Sequence, residues 1–324
     1  MTKAIRLNRN GGPEVLEIQE VTVGAPGPAE IRIRQTAVGL NFIDVYHRTG
    51  LYPLPLPTGI GLEAAGVVEA VGAEVTEFRP GDRVAYPAGP IGAYAEERLI
   101  AADRVVKIPD GISDEQAAAM MLKGMTAHYL LHRTYAVKPG DTILFHAAAG
   151  GVGLIACQWA KALGATVIGT VGNDEKAELA RAHGCDHVIV YSRENFTDRV
   201  REITGGKGVP VVYDSVGAAT FEGSLDCLAT FGMMVSFGNA TGPIPAIDSG
   251  LLAGKGSLYF TRPTLMTHCA DRGRLVEGAE ALFAAVLSGK VKIEIHQRWS
   301  LRDAPEAHRA LEARKTTGSS LLLP

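Results

Sequence analysis

The sequence of 324 residues predicts an α/β protein, in which a doubly wound parallel sheet accompanies a second domain that is rich in β-strands. Three observations lead to this class. Short strands separated by glycine and proline dominate roughly the first 125 residues, and apolar strands alternate with helical patterns after them. A glycine-rich turn also joins one apolar strand to an amphipathic helix. Strands that alternate with helices are typical of a parallel sheet with helices on both faces.

The amino-terminal strands are predicted from their side-chain patterns. Residues 31–38 alternate between apolar and polar side chains, as a half-buried strand does, and Ala64–Val71 is an apolar strand that ends at Gly72. A turn at residues 79–84 leads into another strand, and residues 93–97 continue the pattern. Short strands with this punctuation predict a compact, barrel-like domain.

The pattern changes near Ser113, a candidate N-cap for a helix that begins at Asp114. Beyond it, helical patterns separate most of six predicted strands, which are Thr142–His146, Thr166–Thr170, His187–Val190, Val209–Asp214, Gly232–Phe237 and Ser257–Phe260. The carboxyl-terminal part is expected to pack back on the amino-terminal domain. Its predicted elements are a helix at 279–287, a strand at 292–299 and a helix at 305–313.

The turn at residues 148–153 follows the dinucleotide-binding pattern G-x-G-x-x-G, with Ala148 in the first glycine position. The first position needs a small residue for the turn, the second lets the backbone approach a pyrophosphate, and the third lets the helix pack on the strand. The helix expected over 152–163 directs its amide groups and the positive end of its dipole at the phosphates. The candidate contacts are Gly150, Gly151, Val152 and Gly153.

A tight turn of small residues without a ligand is the alternative interpretation, because a glycine pattern alone is a weak signal. The context favours a dinucleotide. An apolar strand precedes the turn, an amphipathic helix follows it, and a second apolar strand at 165–170 arrives where a βαβ unit needs it.

Composition and charge argue against several classes of partner. The net charge of −3 provides no general attraction for nucleic acids or membrane surfaces, and no apolar run approaches the roughly 20 residues of a membrane span. The first six residues alternate like a strand and lack the apolar core of a signal peptide, so we expect a cytoplasmic protein.

The cysteines and histidines do not predict a metal site. The four cysteines are scattered and form no C-x-x-C pair, which argues against a zinc cage or a disulfide framework. Cys157 lies inside the helix after the glycine turn and is expected to be a small core residue rather than a reactive thiol. His128 and His132 are spaced as a helical pair but lack the intervening glutamate of a zinc protease.

Five segments together carry a family resemblance: GGPEVL at 11–16, NFID at 41–44, AAAGGVG at 147–153, VYDSVG at 212–217 and GSS at 318–320. On these segments the chain resembles the zinc-free, zeta-crystallin-like quinone oxidoreductases of the medium-chain dehydrogenase/reductase superfamily. The resemblance covers essentially the whole length and is closest to the bacterial NADPH:quinone reductases.

The resemblance implies a doubly wound Rossmann domain that is inserted in a β-rich, GroES-like catalytic domain. Residues 1–125 would form the catalytic domain, 126–262 the dinucleotide-binding domain and 263–324 the return to the catalytic domain. It also implies a cleft between the domains, where nicotinamide and substrate meet. Such proteins are usually homodimers that pair the edge strands of two cofactor sheets, and the edge strand here would be Ser257–Phe260.

The resemblance also carries an expectation about metals. Related zinc alcohol dehydrogenases have Gly-His-Glu where this chain has Gly61-Leu62-Glu63, and leucine cannot bind a metal. The cysteine ligand expected near Asn41 is missing as well. We therefore expect no metal, and we expect Glu63 to be a structural hydrogen-bonding residue.

The predicted cofactor is NADPH. NAD-selective folds place an acid about 20 residues beyond the glycine turn, where this chain has Thr170, followed by Gly172 and Asn173. Nothing at that strand end would repel a 2′-phosphate. In the family, a lysine at the position of Lys176 and a tyrosine at the position of Tyr191 hold this phosphate.

Each of these assignments has an alternative. Lys176 could be a solvated helix residue, and Tyr191 could be an ordinary aromatic residue at a strand end. Arg314, which resembles a further family contact near the cofactor phosphates, could instead cap a helix C-terminus. Asp174 and Glu175 stand beside Lys176 and could weaken a phosphate site or turn outward.

Hydride or electron transfer is performed by the cofactor, so the protein must supply a flat apolar slot. The proton for the reduced oxygen can come from a polar side chain or from water. By resemblance, Asn41 and Tyr46 face that slot and Tyr52 lies at its rim. Loop hydrogen bonding for Asn41 and partial core packing for Tyr46 are the alternatives. Further expected cofactor contacts, which could instead serve turns and packing, are Ser215, Phe237, Gly238 and Phe260.

The predicted function is the NADPH-dependent reduction of quinones without a metal, with a small-molecule quinone as partner and neither nucleic acid nor membrane. One alternative is an NADPH-dependent reductase for the C=C bond of enones or alkenals, which would have the same fold and cofactor site. The other is a non-catalytic NADPH-binding protein with a structural or redox-sensing role.

Overall fold

The computed structural model describes residues 1–324. The chain forms two compact units. The first unit contains Met1–Met125, His268–Leu287 and Ile293–Pro324. The second unit contains Thr126–Thr267 and Ser288–Lys292.

The elements are numbered in chain order. The strands are β1 Thr2–Leu7, β2 Leu16–Val21, β3 Glu30–Leu40, β4 Thr58–Gly59, β5 Ala64–Val71, β6 Arg83–Tyr86, β7 Glu97–Ala101, β8 Val106–Lys107, β9 Thr142–Phe145, β10 Thr166–Val171, β11 His187–Val190, β12 Val209–Asp214, β13 Leu228–Ser236, β14 Tyr259–Thr261, β15 Ile295–Ser300 and β16 Ser319–Leu323. The α-helices are α1 Phe42–Thr49, α2 Asp114–Tyr129, α3 Gly151–Ala162, α4 Asp174–Ala182, α5 Phe196–Ile203, α6 Phe221–Asp226, α7 Ser249–Gly254, α8 Leu265–His268, α9 Arg272–Leu287 and α10 Ala304–Glu312. None of the helices combines the length and the apolar character that crossing a bilayer requires.

The first unit contains two sheets. One has the strand order β2–β1–β4, and the other runs β15–β16–β3–β5–β6–β8, with β7 paired to β3. Strand β3 shows the predicted alternation, since Ile31 and Ile33 are fully buried while Arg32 and Arg34 pair with Glu69. Apolar side chains from both sheets form one core.

The strand expected at residues 93–97 begins later, since β7 starts at Glu97. Gly92 has a φ of 125°, and the Ala95 amide donates to the Ala93 carbonyl, so the chain bends at this point. The segment still packs on the core, because Tyr94 is buried and its carbonyl accepts a hydrogen bond from the Ile5 amide.

The second unit is built on a parallel six-stranded sheet in the order β11–β10–β9–β12–β13–β14. The chain steps outward from β9 through β10 and β11, then returns to the other side of β9 and continues through β12, β13 and β14. This is the doubly wound order of dinucleotide-binding sheets, and it confirms the predicted fold class. The glycine turn follows β9, where the strand order reverses and where ligands of such sheets bind.

Two carboxyl-terminal elements differ from their predicted bounds. Helix α9 begins at residue 272 rather than 279, and Asp271 caps it by accepting a hydrogen bond from the Arg274 amide at 3.0 Å. Gly273 in the first turn weakens the helical pattern, because glycine is a poor helix former. Strand β15 begins at Ile295 rather than 292.

Candidate active site

The glycine-rich turn joins β9 to α3. Ala147 adopts a left-handed backbone with a φ of 55°, and its carbonyl accepts a hydrogen bond from the Gly150 amide at 2.9 Å. A Cβ on Gly153 would lie 2.4 Å from the same carbonyl oxygen. Only glycine therefore fits at this position, where the start of α3 packs against the end of the strand.

The amino terminus of α3 has the chemistry that a pyrophosphate requires. Gly150 is the N-cap, and no side chain caps the helix. The first helical hydrogen bond runs from the Leu154 amide to the Gly150 carbonyl at 2.9 Å. A helix leaves its earlier amides, here Gly151, Val152 and Gly153, without internal partners, and these donors with the helix dipole suit an anion. The residues present therefore fit the phosphates of a dinucleotide.

A buried polar chain that sequence reasoning missed supports this turn. His146, directly after β9, contacts the Thr170 hydroxyl through Nδ1 at 2.9 Å and the Ser224 hydroxyl through Nε2 at 3.0 Å. Ser224 also donates to the Asp214 carboxylate at 2.8 Å. Burial lowers the pKa of His146, so the ring is a neutral hydrogen-bonding spacer that ties β9 to β10 and α6. The sequence signal that could have indicated this network was a histidine directly after an apolar strand.

Two further loops meet at the same edge of the sheet. After β12, the Asp214 carboxylate accepts hydrogen bonds from the amides of Val216 at 2.7 Å and Gly217 at 3.0 Å. After β13, a Cβ on Gly238 would lie 2.5 Å from the Ser215 carbonyl oxygen. The Phe237 ring, next to Gly238, lies 5.7 Å from the Phe145 ring at the end of β9. The structure thus brings Ser215, Phe237 and Gly238 together.

Phe260 does not lie in this group of loops. It belongs to β14, and its ring packs edge-on against Phe221 with centroids 6.1 Å apart. Both side chains pack with the apolar cluster of the second unit. This placement favours the packing role that the sequence left open for Phe260.

The residues expected at the cofactor's 2′-phosphate surround the ends of β10 and β11. Val171 pairs with Val190, and the Tyr191 amide donates to the Val171 carbonyl at 3.1 Å. The Tyr191 hydroxyl would touch a Cβ on Gly172 at 2.9 Å. Tyr191 keeps 44% of its surface exposed, so its ring lies over Gly172 without being a core residue.

Helix α4 begins directly after Gly172. Asn173 is its N-cap, and the side-chain oxygen accepts a hydrogen bond from the Lys176 amide at 2.9 Å. Lys176 is half-buried in the first turn of the helix. The carboxyl ends of β10 and β11 therefore bring four residues close together, namely Gly172, Asn173, Lys176 and Tyr191.

In the first unit, Asn41 caps α1. Its side chain accepts from the Asp44 amide, while the Asp44 carboxylate accepts from the Asn41 amide at 2.9 Å, which forms a reciprocal capping box. The Asn41 Nδ2 donates to Glu63 Oε1 at 2.7 Å. With 5% of its surface exposed, Asn41 is committed to bonds within the protein.

Glu63 is a buried hydrogen-bonding centre, as its position in the sequence led us to expect. Its side chain is fully buried, and Oε1 pairs with the Lys123 ammonium at 2.7 Å while Oε2 accepts from the Leu122 amide at 2.6 Å. A Cβ on Gly39 would lie 2.2 Å from Oε1 of Glu63, so position 39 in β3 must be glycine. The role of Lys123 had no sequence signal, because a lysine in a helix is usually solvated.

The two tyrosines expected at the substrate slot are close together. The ring of Tyr46 lies 5.0 Å from that of Tyr52 and 5.4 Å from that of Phe42. Tyr46 is buried, and the Tyr52 amide donates to its carbonyl at 3.1 Å. The structure therefore places Tyr46 and Tyr52 with Phe42 in one aromatic group at α1, the helix that Asn41 caps.

A buried polar chain continues from Asp44. Its Oδ2 accepts from the Tyr94 hydroxyl at 2.9 Å, and that hydroxyl lies 3.2 Å from His308 Nε2. Burial raises the pKa of Asp44 to about 7 and lowers the pKa of His308 to about 3. Arg48, also buried, contacts His308 at 3.2 Å and holds Glu312 with two bonds of 2.9 and 2.7 Å.

Arg314 belongs to the first unit. It is an exposed residue, two positions beyond α10, with a φ of 57°. Its amide donates to the Leu311 carbonyl at 3.1 Å, which ends the helix.

The leucine, cysteine and histidine residues that the sequence raised in connection with metals are described by their burial and packing. No group of three or more His, Cys, Asp or Glu side chains is placed to hold a metal ion. Leu62, which precedes Glu63 in the sequence, is buried. All four cysteines are buried free thiols. His128 and His132 stack at 5.0 Å and pack on Trp159, which gives them a packing role.

Comparisons with known proteins agree with this description. The zinc-binding dehydrogenase family matches residues 151–270, and the alcohol dehydrogenase GroES-like domain matches residues 27–110. A quinone oxidoreductase of Pseudomonas aeruginosa is 57% identical over 325 residues, with all of both chains covered. A 2-haloacrylate reductase of a Burkholderia species is 48% identical and covers 100% of this chain and 99% of its own length.

A solved structure shows the same fold. The crystal structure of the Escherichia coli quinone oxidoreductase, described as complexed with NADPH, superimposes with a TM-score of 0.98 at 51% identity. The match covers 99% of this chain and 100% of the other.

Proposed function

Because the chain belongs to the quinone oxidoreductases of the medium-chain dehydrogenase/reductase superfamily, we propose that it oxidises NADPH and reduces quinones. NADPH supplies the hydride when it is bound. The chain's own residues bind and orient the cofactor, exclude water and position the acceptor.

The amino terminus of α3 is the observation that carries this proposal. It offers amides of a glycine turn that no side chain caps, at the reversal point of a doubly wound sheet. The turn is supported by the neutral His146, which ties the end of β9 to β10 and α6. We assign the pyrophosphate to this turn and the nicotinamide side to Ser215, Phe237 and Gly238.

Lys176 and Tyr191 account for the preference for NADPH over NADH. Lys176 brings a cation, and Tyr191 brings a hydroxyl to the edge of the sheet where the adenosine ribose of a dinucleotide lies. A phosphate with close to two negative charges gains more from such donors than a ribose hydroxyl does. Arg314 is proposed as a further contact to the cofactor's phosphates.

Tyr46 and Tyr52 are proposed as the substrate-facing side chains, and Asn41 is proposed as a residue that positions the helix carrying Tyr46. The Asn41 amide donor is engaged by Glu63, so we assign Asn41 to positioning the start of α1. Tyr46 and Tyr52 offer aromatic faces against which a flat quinone ring packs, and their hydroxyls are the donors available for a reduced oxygen.

We propose that the protein is a cytoplasmic homodimer. Strand β14 is the edge of the second unit's sheet, and an open edge is a template for pairing with a second copy. Two large side chains are exposed in this region, Tyr259 of β14 at 58% and Phe231 of the neighbouring strand β13 at 68%. Four free thiols agree with a reducing compartment.

The function is tested by steady-state oxidation of NADPH and NADH with a chelator present, against a panel of quinones and enones. We expect quinone turnover that prefers NADPH. Turnover of enones alone would contradict quinone reduction and favour C=C reduction, toward which the 2-haloacrylate reductase relative points. Tight NADPH binding without any turnover would favour a binding protein.

A further inference from the structure

An acidic residue stands close to the residues that we propose for a 2′-phosphate. Asp174 is the first residue of α4, directly after the Asn173 cap and two residues before Lys176. Acids near this strand end are the residues by which such folds select NADH, because a carboxylate accepts from the ribose hydroxyl and repels a phosphate. The resemblance to NADPH-dependent enzymes therefore leaves Asp174 to be explained.

The structure pairs this acid with a cation. Arg193 donates from Nη1 to Asp174 Oδ2 at 2.7 Å, and its Nη2 lies 2.7 Å from Oδ1, which is a bidentate ion pair. The Arg193 guanidinium holds the pKa of Asp174 below its usual value. Asp174 and Lys176 are two residues apart in a helix, about 200° around its axis, so they leave on different sides.

Arg193 belongs to the same turn as Tyr191. The turn follows β11 and is held by the Arg193 amide, which donates to the Val190 carbonyl at 3.1 Å, and by the Glu194 carboxylate, which accepts from the Val190 amide at 3.1 Å. The ion pair thus links the turn that carries Tyr191 to the helix start that carries Lys176.

A contribution to folding stability does not explain the ion pair between Arg193 and Asp174. Arg193 and Asp174 are 56% and 72% exposed, and exposed ion pairs contribute little to folding. A charge at the mouth of an anion site acts on ligand binding instead, since neither charge needs to be desolvated for its field to reach the ligand.

We propose that Arg193 is a specificity-determining residue for the cofactor, which by pairing with Asp174 cancels the repulsion that this carboxylate would exert on a 2′-phosphate. The inference rests on the proposed NADPH site. On this inference, the site accepts a 2′-phosphate despite the acid at position 174 because of a residue 19 positions away, in a different loop.

The test uses the full chain and two probes, 2′,5′-ADP and 5′-AMP, whose binding is measured by calorimetry. We expect wild type to favour 2′,5′-ADP. Arg193→Ala should weaken 2′,5′-ADP binding about fivefold while 5′-AMP binding stays the same, and high salt should shrink the difference. Asp174→Ala combined with Arg193→Ala should recover wild-type affinity, and Arg193→Lys should keep most of it.

The controls separate this inference from the proposed function. Arg309→Ala breaks an exposed ion pair with Glu306 in the first unit and should leave the affinity for both probes unchanged. If Arg193→Ala weakens both probes equally, or if the double variant binds 2′,5′-ADP no better than Arg193→Ala, the role of Arg193 is wrong. A wild type without any preference for 2′,5′-ADP would overturn the NADPH assignment together with it.

Discussion

Asn41 donates its side-chain amide to Glu63 at 2.7 Å, and Glu63 in turn pairs with the buried ammonium of Lys123 at 2.7 Å. The cap of α1, the loop before β5 and helix α2 therefore share one carboxylate. Helix α1 carries Tyr46 in its middle, so we expect the placement of the proposed substrate-facing side chains to depend on the bonds that fix the start of this helix.

Glu63→Gln should destabilise the protein strongly. The substitution leaves the Lys123 ammonium buried without a compensating charge, and breaking one half of such a pair costs about 3–5 kcal/mol. Glu63→Gln combined with Lys123→Met should recover most of this loss, because neither charge remains. Urea unfolding measures all three proteins.

The exposed residue Glu306 provides the matched control, since Glu306→Gln should change the free energy of unfolding by less than about 0.5 kcal/mol. A loss of less than about 1 kcal/mol in Glu63→Gln, or a double variant as unstable as the single one, would contradict the buried-pair interpretation.

Asp44→Asn should change how stability depends on pH. The pKa of Asp44 is about 7 in the folded protein and ordinarily 3.8, so between these values the folded state holds a proton that the unfolded state has lost. This group therefore lowers stability by about 1.4 kcal/mol per pH unit as pH rises through that window. The variant lacks this slope, so its stability should rise relative to wild type by that amount per unit in urea melts between pH 4.5 and 6.5.

His308→Gln should act in the opposite direction. Its pKa is about 3 when folded and ordinarily 6.5, so the unfolded state binds the extra proton and wild-type stability from this group rises with pH. Removing the ring should take away that rise over the same pH window. If the profiles of both variants are identical to that of wild type, neither buried group titrates as described.

Lys176→Ala and Tyr191→Ala should each raise the KM for NADPH about tenfold and leave the KM for NADH nearly unchanged. A charge-assisted hydrogen bond to a phosphate contributes about 1.5–3 kcal/mol, and NADH lacks that phosphate. Steady-state kinetics with both cofactors and one quinone measures the effect. Equal changes for the two cofactors would remove both residues from the 2′-phosphate site.

Phe231→Glu and Tyr259→Glu should convert the proposed dimer into monomers. Tyr259 belongs to the edge strand β14, and the amide of Phe231 in β13 bonds the Gly256 carbonyl just before β14, so we expect pairing with a second copy to bury a charge placed at either position. Light scattering coupled to gel filtration gives the mass. Ile18→Glu, at an exposed apolar position in β2, is the control and should leave the mass unchanged. A wild type that is already monomeric would reject the dimer.

Much of the fold and part of the site followed from short-range patterns. The alternation in β3, the strand–turn–helix at the glycine turn and the order of strands and helices depend on residues within one element or between neighbours, where spacing alone sets which side chains share a face. The start of α9 was missed because Gly273 weakens the local helical pattern.

The sequence by itself determined the fold class and the position of the glycine turn after β9, and it suggested the residues after β10 that we propose for the 2′-phosphate of NADPH. The tertiary structure alone decided that Asn41 shares Glu63 with Lys123 and that Tyr94 meets His308 across 214 residues. It also decided that Phe260 packs on Phe221 and that Arg193 forms an ion pair with Asp174. Local propensity and periodicity act over a few residues. Partners in different loops meet only when the packed sheets bring their ends together, so no local pattern encodes them.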